Sequence, residues 1–408
     1  MKKLLMLGGS QTQVPAIKAA KEMGLYVIIT DYLEDNPGHK FAHESYNVST
    51  TDKKGVLALA ESLEIDGIVC YESEAAAPTA AYVAEKLGLP SNPYKSVEIL
   101  TKKDLFKTFL KENNFNVPRA KGYKYNSLEE AKADFHNFKM PVMIKPVDSS
   151  GSRGVSKIES FELLHEKVED ALRFSRSKCF IIEEFIEKCG YQVGGDGFSI
   201  NGELVFRCFS NEHFSPSSIN PFVPVGSSFP SNLPEHIQEK IHNEIQRVLD
   251  LLNMQTGAYN FDILIDSEEN VYLLEIAARN GGDWIPQVIK YATNIDMVKY
   301  TIKGALGEDC CDLLFNKPSG FWSSYVVNSM NRGVFKGLEI SKDLIRDNLV
   351  EHEITTKDGD PVFAFTGSDM KVGTLLLKYS SMEEMLEKMD NMTNWLQVIV
   401  EDSLVNKR

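Results

Sequence analysis

Apolar positions along this chain come in short runs separated by polar, glycine-marked turns, and the spacing inside each run sorts it into strand or helix. Residues 3–7 are continuous enough for a buried strand, Gly8-Gly-Ser-Gln11 makes a turn, and residues 14–23 carry a helical period closed by Gly24. A second buried strand over 26–30 ends at Asp31. A helix over 53–63, a strand over 67–71 and a helix from about 75 to 87, stopped by Gly88, repeat the alternation. Strands and helices in this order open a doubly wound α/β domain with a parallel sheet, placed at residues 1–100. The first turn lacks the Gly-x-Gly-x-x-Gly spacing of dinucleotide sites, which counts against a dehydrogenase. Glu72 and Glu74 follow a strand at its carboxyl end, where such sheets bind ligands. They either meet substrate or cap the next helix, and the cap is favoured.

Beyond residue 100 the pattern changes. Thr101-Lys-Lys-Asp104 resembles a capping box opening a helix with Leu105, Phe106, Phe109 and Leu110 on one face. Lys103 then sits in the first turn, where the helix dipole disfavours a cation, so it is either a solvated surface lysine or held there by an anion such as phosphate. Pro118 and Gly122 punctuate the passage into a lid-like segment, giving a linker-and-lid unit at 101–187. Within it, Pro141-Val-Met-Ile-Lys145-Pro-Val is an apolar strand broken by one lysine. The loop Asp148-Ser-Ser-Gly151-Ser-Arg-Gly154-Val follows; it is either a plain turn or a mobile loop whose amides close over phosphates with Lys145 as a point charge. Because the lysine precedes the glycines, this is not the Walker arrangement. Residues 179–187 read as a strand whose edge offers a backbone carbonyl and amide to an adenine ring, or as a strand ending in solvated glutamates.

Further on, Gly257-Ala-Tyr-Asn-Phe-Asp262-Ile-Leu-Ile, a polar turn over 266–270 and Val271-Tyr-Leu-Leu-Glu275-Ile read as a β-hairpin. Asp262 and Glu275 point the same way. They are either surface acids or hard oxygen ligands of the kind magnesium prefers, one or two carboxylates completed by phosphate and water. Arg279 suits a bidentate grip on phosphate or carboxylate. Asn280-Gly-Gly-Asp283 sets backbone amides ahead of a helix beginning near Ile285, where an anionic group can dock. Residues 214–234, with Pro216, Pro221, Pro224, Pro230 and Pro234, read as a long structureless loop, either a wall over the acceptor substrate or a surface insertion. A helix over 235–252 follows. From 318 onward, short glycine-marked strands suggest a small β-rich C-terminal domain at 318–408, leaving 188–317 as the central unit with the hairpin.

In this order the elements resemble the ATP-grasp superfamily, over most of the chain. The resemblance implies an α/β architecture: an N-terminal doubly wound parallel-sheet domain, α+β lid and central domains, and a small β-rich C-terminal domain. It implies ATP as the nucleotide, with Mg2+ (or Mn2+ in its place) on Asp262 and Glu275. Lys103 and Lys145 become nucleotide lysines, and residues 149–155, among them Ser150, Gly151, Ser152, Gly154 and Val155, become the phosphate loop. Glu183, Glu184, Phe185 and Ile186 match an adenine hinge. Arg279 matches the arginine that stabilises a phosphorylated intermediate, with Asn280, Gly281 and Gly282 beside the substrate. Two positions depart from the common pattern: Gln192 stands where many members carry a glutamate for the ribose, and Ala277 where many carry an asparagine metal ligand. The implied activity joins a carboxylate to an amine or thiol through an acyl phosphate, releasing ADP and phosphate, with amino acids among the candidate substrates. The phosphoribosylamine-glycine ligase of purine synthesis is the alternative within this class, and a non-catalytic ATP-binding sensor the alternative outside it.

Composition narrows the partners. At 408 residues the chain is too long for one core, and 43% apolar with 25% charged residues are ordinary globular values. A net charge of -14 with no block of Lys or Arg argues against nucleic acid and leaves small-molecule carboxylates and amines as the expected partners, with room for a homodimer. Six cysteines without C-x-x-C spacing suggest free thiols in a reducing compartment. No apolar run reaches signal-peptide or spanning length, so a cytoplasmic protein without a membrane partner is expected.

Overall fold

In the computed structural model, which describes residues 1–215 and 219–401, the N-terminal residues form a parallel sheet in the order Glu44–Tyr46, Tyr26–Thr30, Lys3–Leu7, Gly67–Val69. Pro216 lies outside the described residues. Strand Glu44–Tyr46 has no apolar run to announce it; it is half-buried and joins through its backbone. Helices Val14–Glu22, Lys53–Leu63 and Ala77–Leu87 follow the strands, and Gly24 and Gly88 close two of them at φ of 78° and 67°. Strand order reverses at Lys3–Leu7, so the loops leaving it and Gly67–Val69 border a crevice.

Two helices, Tyr94–Thr101 and Lys103–Glu112, carry the chain to the lid. The expected capping box is absent. Thr101 ends the first helix, its hydroxyl donating to the Val97 carbonyl at 2.8 Å, and the second helix starts without a side-chain cap. Its orphan Lys103 N–H instead donates to the Val147 carbonyl of the lid at 3.0 Å, which ties the two units together. The lid is an antiparallel sheet ordered Ala120–Lys124, Cys179–Glu184, Val142–Pro146, Ser156–Ile158, with helices Leu128–Asp134 and Leu164–Phe174.

The largest element is an eight-stranded antiparallel sheet. Its order is Val271–Ala277, Gly257–Ile265, Gln192–Ile200, Glu203–Phe214, Pro224–Phe229, Phe321–Val327, Gly373–Tyr379, Leu349–Ile354. Strands from both sides of residue 318 share it. The stretch expected to be structureless over 214–234 therefore contains an internal strand. Pro224 occupies its first position, where a missing N–H is tolerated, and Gly226, Ser227 and Ser228 hide a buried strand behind a turn-like composition. Helix Glu235–Leu251 buries Ile237, Ile241, Ile245, Val248 and Leu249 in one core with Phe261, Ile263 and Leu273 of the hairpin, the i, i+4, i+8 stripe its sequence shows. A further sheet, Pro361–Val362, Gly333–Ile340, Leu396–Glu401, completes the C-terminal residues. Among the described residues no helix is long and apolar enough to cross a membrane, and all six cysteines are free.

Candidate active site

A cavity of about 490 Å³ opens between the lid sheet and the central sheet. Lys145 enters it from strand Val142–Pro146, and Glu183 from the neighbouring strand Cys179–Glu184; the two form an ion pair. Lys107, one turn beyond Lys103 on its helix, reaches the other Glu183 oxygen at 3.8 Å and the Leu273 carbonyl at 3.3 Å. Burial pulls the Lys107 ammonium down to about 8 although Glu183 opposes it. At Glu183 burial favours the neutral form, but Lys145 and Lys107 outweigh it and hold the carboxyl below its usual range. The Glu183 side chain is thus a bridge between two lysines. The amides of Glu184 and Phe185, which the strand-edge reading offered to adenine, are already committed to the carbonyls of Arg119 and Pro141.

The anion beside Lys103 is a carboxylate of the protein itself. Its ammonium lies 3.0 Å from Glu275 and donates to the Ser149 carbonyl at 2.9 Å; burial would lower its pKa, yet Glu275 and Glu74 hold it well above the usual range. Asp262 and Glu275 are register partners across the hairpin. Burial works against both charges. It prevails at Asp262, whose carboxyl is pushed well up with help from Glu275, and loses at Glu275, which Lys103 and Arg279 hold down. Two facing carboxylates that cannot both stay charged fit a hard divalent cation. Among the described residues no group of three His, Cys, Asp or Glu is placed to hold a metal ion by itself, so a cation on this pair would need further oxygen ligands from phosphate or water.

Arg279 donates to Asn260 Oδ1 at 2.9 Å and to the Asn280 carbonyl at 3.0 Å, and lies 3.6 Å from Glu74. Glu74 is therefore an ion-pair partner inside the cavity wall, where a helix cap was favoured; helix Ala77–Leu87 begins without a side-chain cap. Glu72, at φ of 55°, also lines the cavity. Asp196, fully buried, accepts from the Gly281 N–H at 2.9 Å and the Asn260 amide at 3.0 Å and so fixes the turn that carries Arg279.

Ser150, Gly151, Ser152, Val155, Glu184, Phe185, Ile186, Gln192 and Gly282 line the cavity with the residues above. Three expected residues do not. Gly154, at φ of 70°, packs its backbone on Phe174 and Ala171. Asn280 is buried, accepting from the Thr301 hydroxyl at 2.9 Å, and Gly281 sits on Asp196. Gln192 donates to Asp262 at 2.9 Å, and Ala277 is buried opposite Asn260. The 149–155 loop is docked from outside: the Gly151 carbonyl accepts from the Ser368 N–H at 3.4 Å, the Ser152 carbonyl from Asn220 at 2.9 Å, and Arg153 lies 3.8 Å from Asp369. Lys107 and Glu212 are cavity residues that sequence reasoning missed. For Lys107 a signal existed, since Lys103 and Lys107 are four apart on one helix face.

This geometry agrees with what the chain is similar to. Residues 138–287 match the family described as ATP-grasp domain. The carbamoyl phosphate synthase large chain of Thermoanaerobacter sp. (strain X514) is 27% identical over 246 residues, 59% of this chain but 22% of that one, so this chain spans about a quarter of such relatives. The formate-dependent phosphoribosylglycinamide formyltransferase of Saccharolobus solfataricus is 24% identical over 398 residues, covering 95% of this chain and 94% of the relative. Among solved structures, an L-amino acid ligase from Bacillus licheniformis superposes with a TM-score of 0.81 at 19% identity, over 98% of this chain and 99% of the other; at that identity the likeness establishes the fold. Residues 138–287 are thus similar to the ATP-grasp domain family, and the fold of the chain is the ATP-grasp fold.

Proposed function

We propose that this protein is an ATP-dependent, ADP-forming ligase that joins a small-molecule carboxylic acid to an amine. The observation that carries the reading is the row Lys103, Glu275, Asp262 with Arg279 beyond it, in one cavity closed by a serine-glycine loop. The names of the two full-length relatives above, a ligase and a formate-dependent transferase, support it. Asp262 and Glu275 would hold magnesium, which when bound neutralises phosphate charge. Lys145, positioned by its ion pair with Glu183, grips the triphosphate, and the 149–155 loop excludes water from it. Arg279, fixed by Asn260, orients the acid so that a carboxylate oxygen attacks the terminal phosphorus in line. ADP leaves as the acyl phosphate forms, and an amine then attacks its acyl carbon, displacing inorganic phosphate and forming the amide.

The test follows one oxygen. With an acid labelled in its carboxylate oxygens, one label should pass to inorganic phosphate and the nucleotide product should be ADP. Formation of AMP, or phosphate free of label, would overturn the mechanism.

A further inference from the structure

Five neighbouring strands of the central sheet set polar side chains in one row along the cavity floor. Glu275 faces Asp262, Gln192 donates to Asp262 at 2.9 Å, Gln192 is the register partner of Glu212, and Glu212 is that of Ser227. The hairpin end of this row is accounted for by the metal reading. Glu212 is not, and it is built into place. Its side chain is 6% exposed, the Ser210 hydroxyl donates to it at 2.7 Å, and the Ser227 hydroxyl adds a second hydrogen bond. On the next strand Gly194 leaves a notch that a Cβ would close by colliding with the Glu212 carboxylate.

A carboxyl this buried keeps its charge only when a positive group comes near it. Among the described residues none is within ion-pair distance of it. The cations around the cavity are engaged elsewhere: Lys145 and Lys107 with Glu183, Lys103 with Glu275, Arg279 with Glu74, Lys371 with Asp283, and Lys188, which among the described residues pairs with no acid, with the Gly190 carbonyl at 2.7 Å. Burial, then Asp283 and Asp196, push the Glu212 carboxyl up to about 7, so the surroundings deepen the deficit of positive charge. In the same cavity the buried Nε of Arg279 has no hydrogen-bond partner, a donor left over for an anion. Strands spaced ~4.8 Å apart put Glu212 and Asp262, two strands from one another, roughly 10 Å apart, room for one small zwitterion between them.

We infer that Glu212, seated by Ser210 and Ser227, binds the ammonium group of an α-amino acid whose carboxylate is the one activated. The assignment rests on the ligase reading and names the acid substrate of that same site. It makes Glu212 a specificity residue that holds no nucleotide and no metal.

The experiment measures MgATP-dependent ADP release by the full chain, with hydroxylamine as the accepting amine. The acids are the proteinogenic L-amino acids and their desamino counterparts, such as L-phenylalanine against hydrocinnamate. For the wild type, kcat/KM should favour the amino acids by about 10- to 100-fold, the worth of one charged hydrogen bond. Glu212→Gln should lose that preference while desamino acids react as before, and its MgATP affinity, measured by calorimetry, should stay at the wild-type value, which also reports an intact fold. An unchanged preference in Glu212→Gln, or equal use of both acid classes by the wild type, overturns the assignment. Turnover with desamino acids alone sinks Glu212 and leaves the ligase standing. No ADP release with any acid, MgATP still bound, sinks the ligase reading and the subsite with it.

Discussion

The two walls of the cavity balance their charge in opposite ways. On the lid side, Glu183 sits between Lys145 and Lys107 of the adjoining helix, so part of the positive charge that would meet a nucleotide is compensated inside the protein and one charge is left over. On the central-sheet side, Glu275, Asp262 and Glu212 lie in one row with Lys103 as the cation bound to it, leaving a surplus of negative charge. The lid wall is thus a preformed clamp with a small positive surplus. The floor holds acids whose desolvation is repaid only when cations arrive from outside.

If that contrast is right, the largest effect belongs to the floor. Asp262→Asn should lower kcat by about 100- to 1,000-fold, the usual cost of losing one preorganised electrostatic contact. The ligand-free protein should not melt earlier, because the amide replaces a charge that burial already disfavours. Steady-state ADP release and calorimetry check both halves, and retained turnover would break the contrast. Next comes the clamp. Lys145→Ala should weaken ATP binding by about 1.5 to 3 kcal/mol, one charged hydrogen bond, and reduce ligand-free stability less than that. Equal nucleotide affinity in both proteins would reduce Lys145 to a structural partner of Glu183.

A pH dependence sharpens the lid side further. Lys107 is held at about 8 against a usual 10.5, so above pH 8 the unfolded chain binds this proton more tightly than the folded one. Folding stability should therefore gain a rising contribution from about pH 8 to 10.5, absent at lower pH, and Lys107→Met should flatten that part of the difference curve in denaturant titrations. A slope identical in both proteins would mean that Lys107 is solvated. The smallest effect concerns the loop. Asn220 bridges the carbonyls of Ser152 and Thr366 at 2.9 and 3.1 Å, and Asn220→Ala should raise the KM for ATP by about two- to tenfold. Faster protease cleavage within residues 150–154 of the ligand-free variant would confirm that the loop has come loose.

The same contrast explains what was legible in the sequence. Lys145 and the serine-glycine loop are contiguous, and Asp262 and Glu275 belong to one hairpin whose alternation sets their parity, so both features could be read from a single stretch. The row that includes Gln192, Glu212 and Ser227 exists only through the register of strands far apart in sequence, and no local pattern reports it. Glu74 looked like a helix cap because the acid that follows a strand does often cap; its true partner, Arg279, lies 205 positions away in the chain. Asn280 and Gly281 looked like substrate contacts because glycine-rich turns before helices bind anions. Here Asp196 and Thr301 take up their polar groups, and the turn serves to aim Arg279. Strand Pro224–Phe229 was hidden by proline and serine, residues that tertiary pairing on both sides overrides.

That strand has a consequence for how the molecule can be divided. Phe321–Val327 completes the hydrogen-bonding edge of Pro224–Phe229 from beyond residue 318. A protein shortened to end near residue 317 would keep the ATP-grasp segment of 138–287 yet present an open row of backbone donors and acceptors one strand away from Glu212. Such an edge recruits other chains. Residues 321–327 therefore act as a guard against self-association, and removing everything beyond residue 317 should yield aggregates in place of a smaller folded unit.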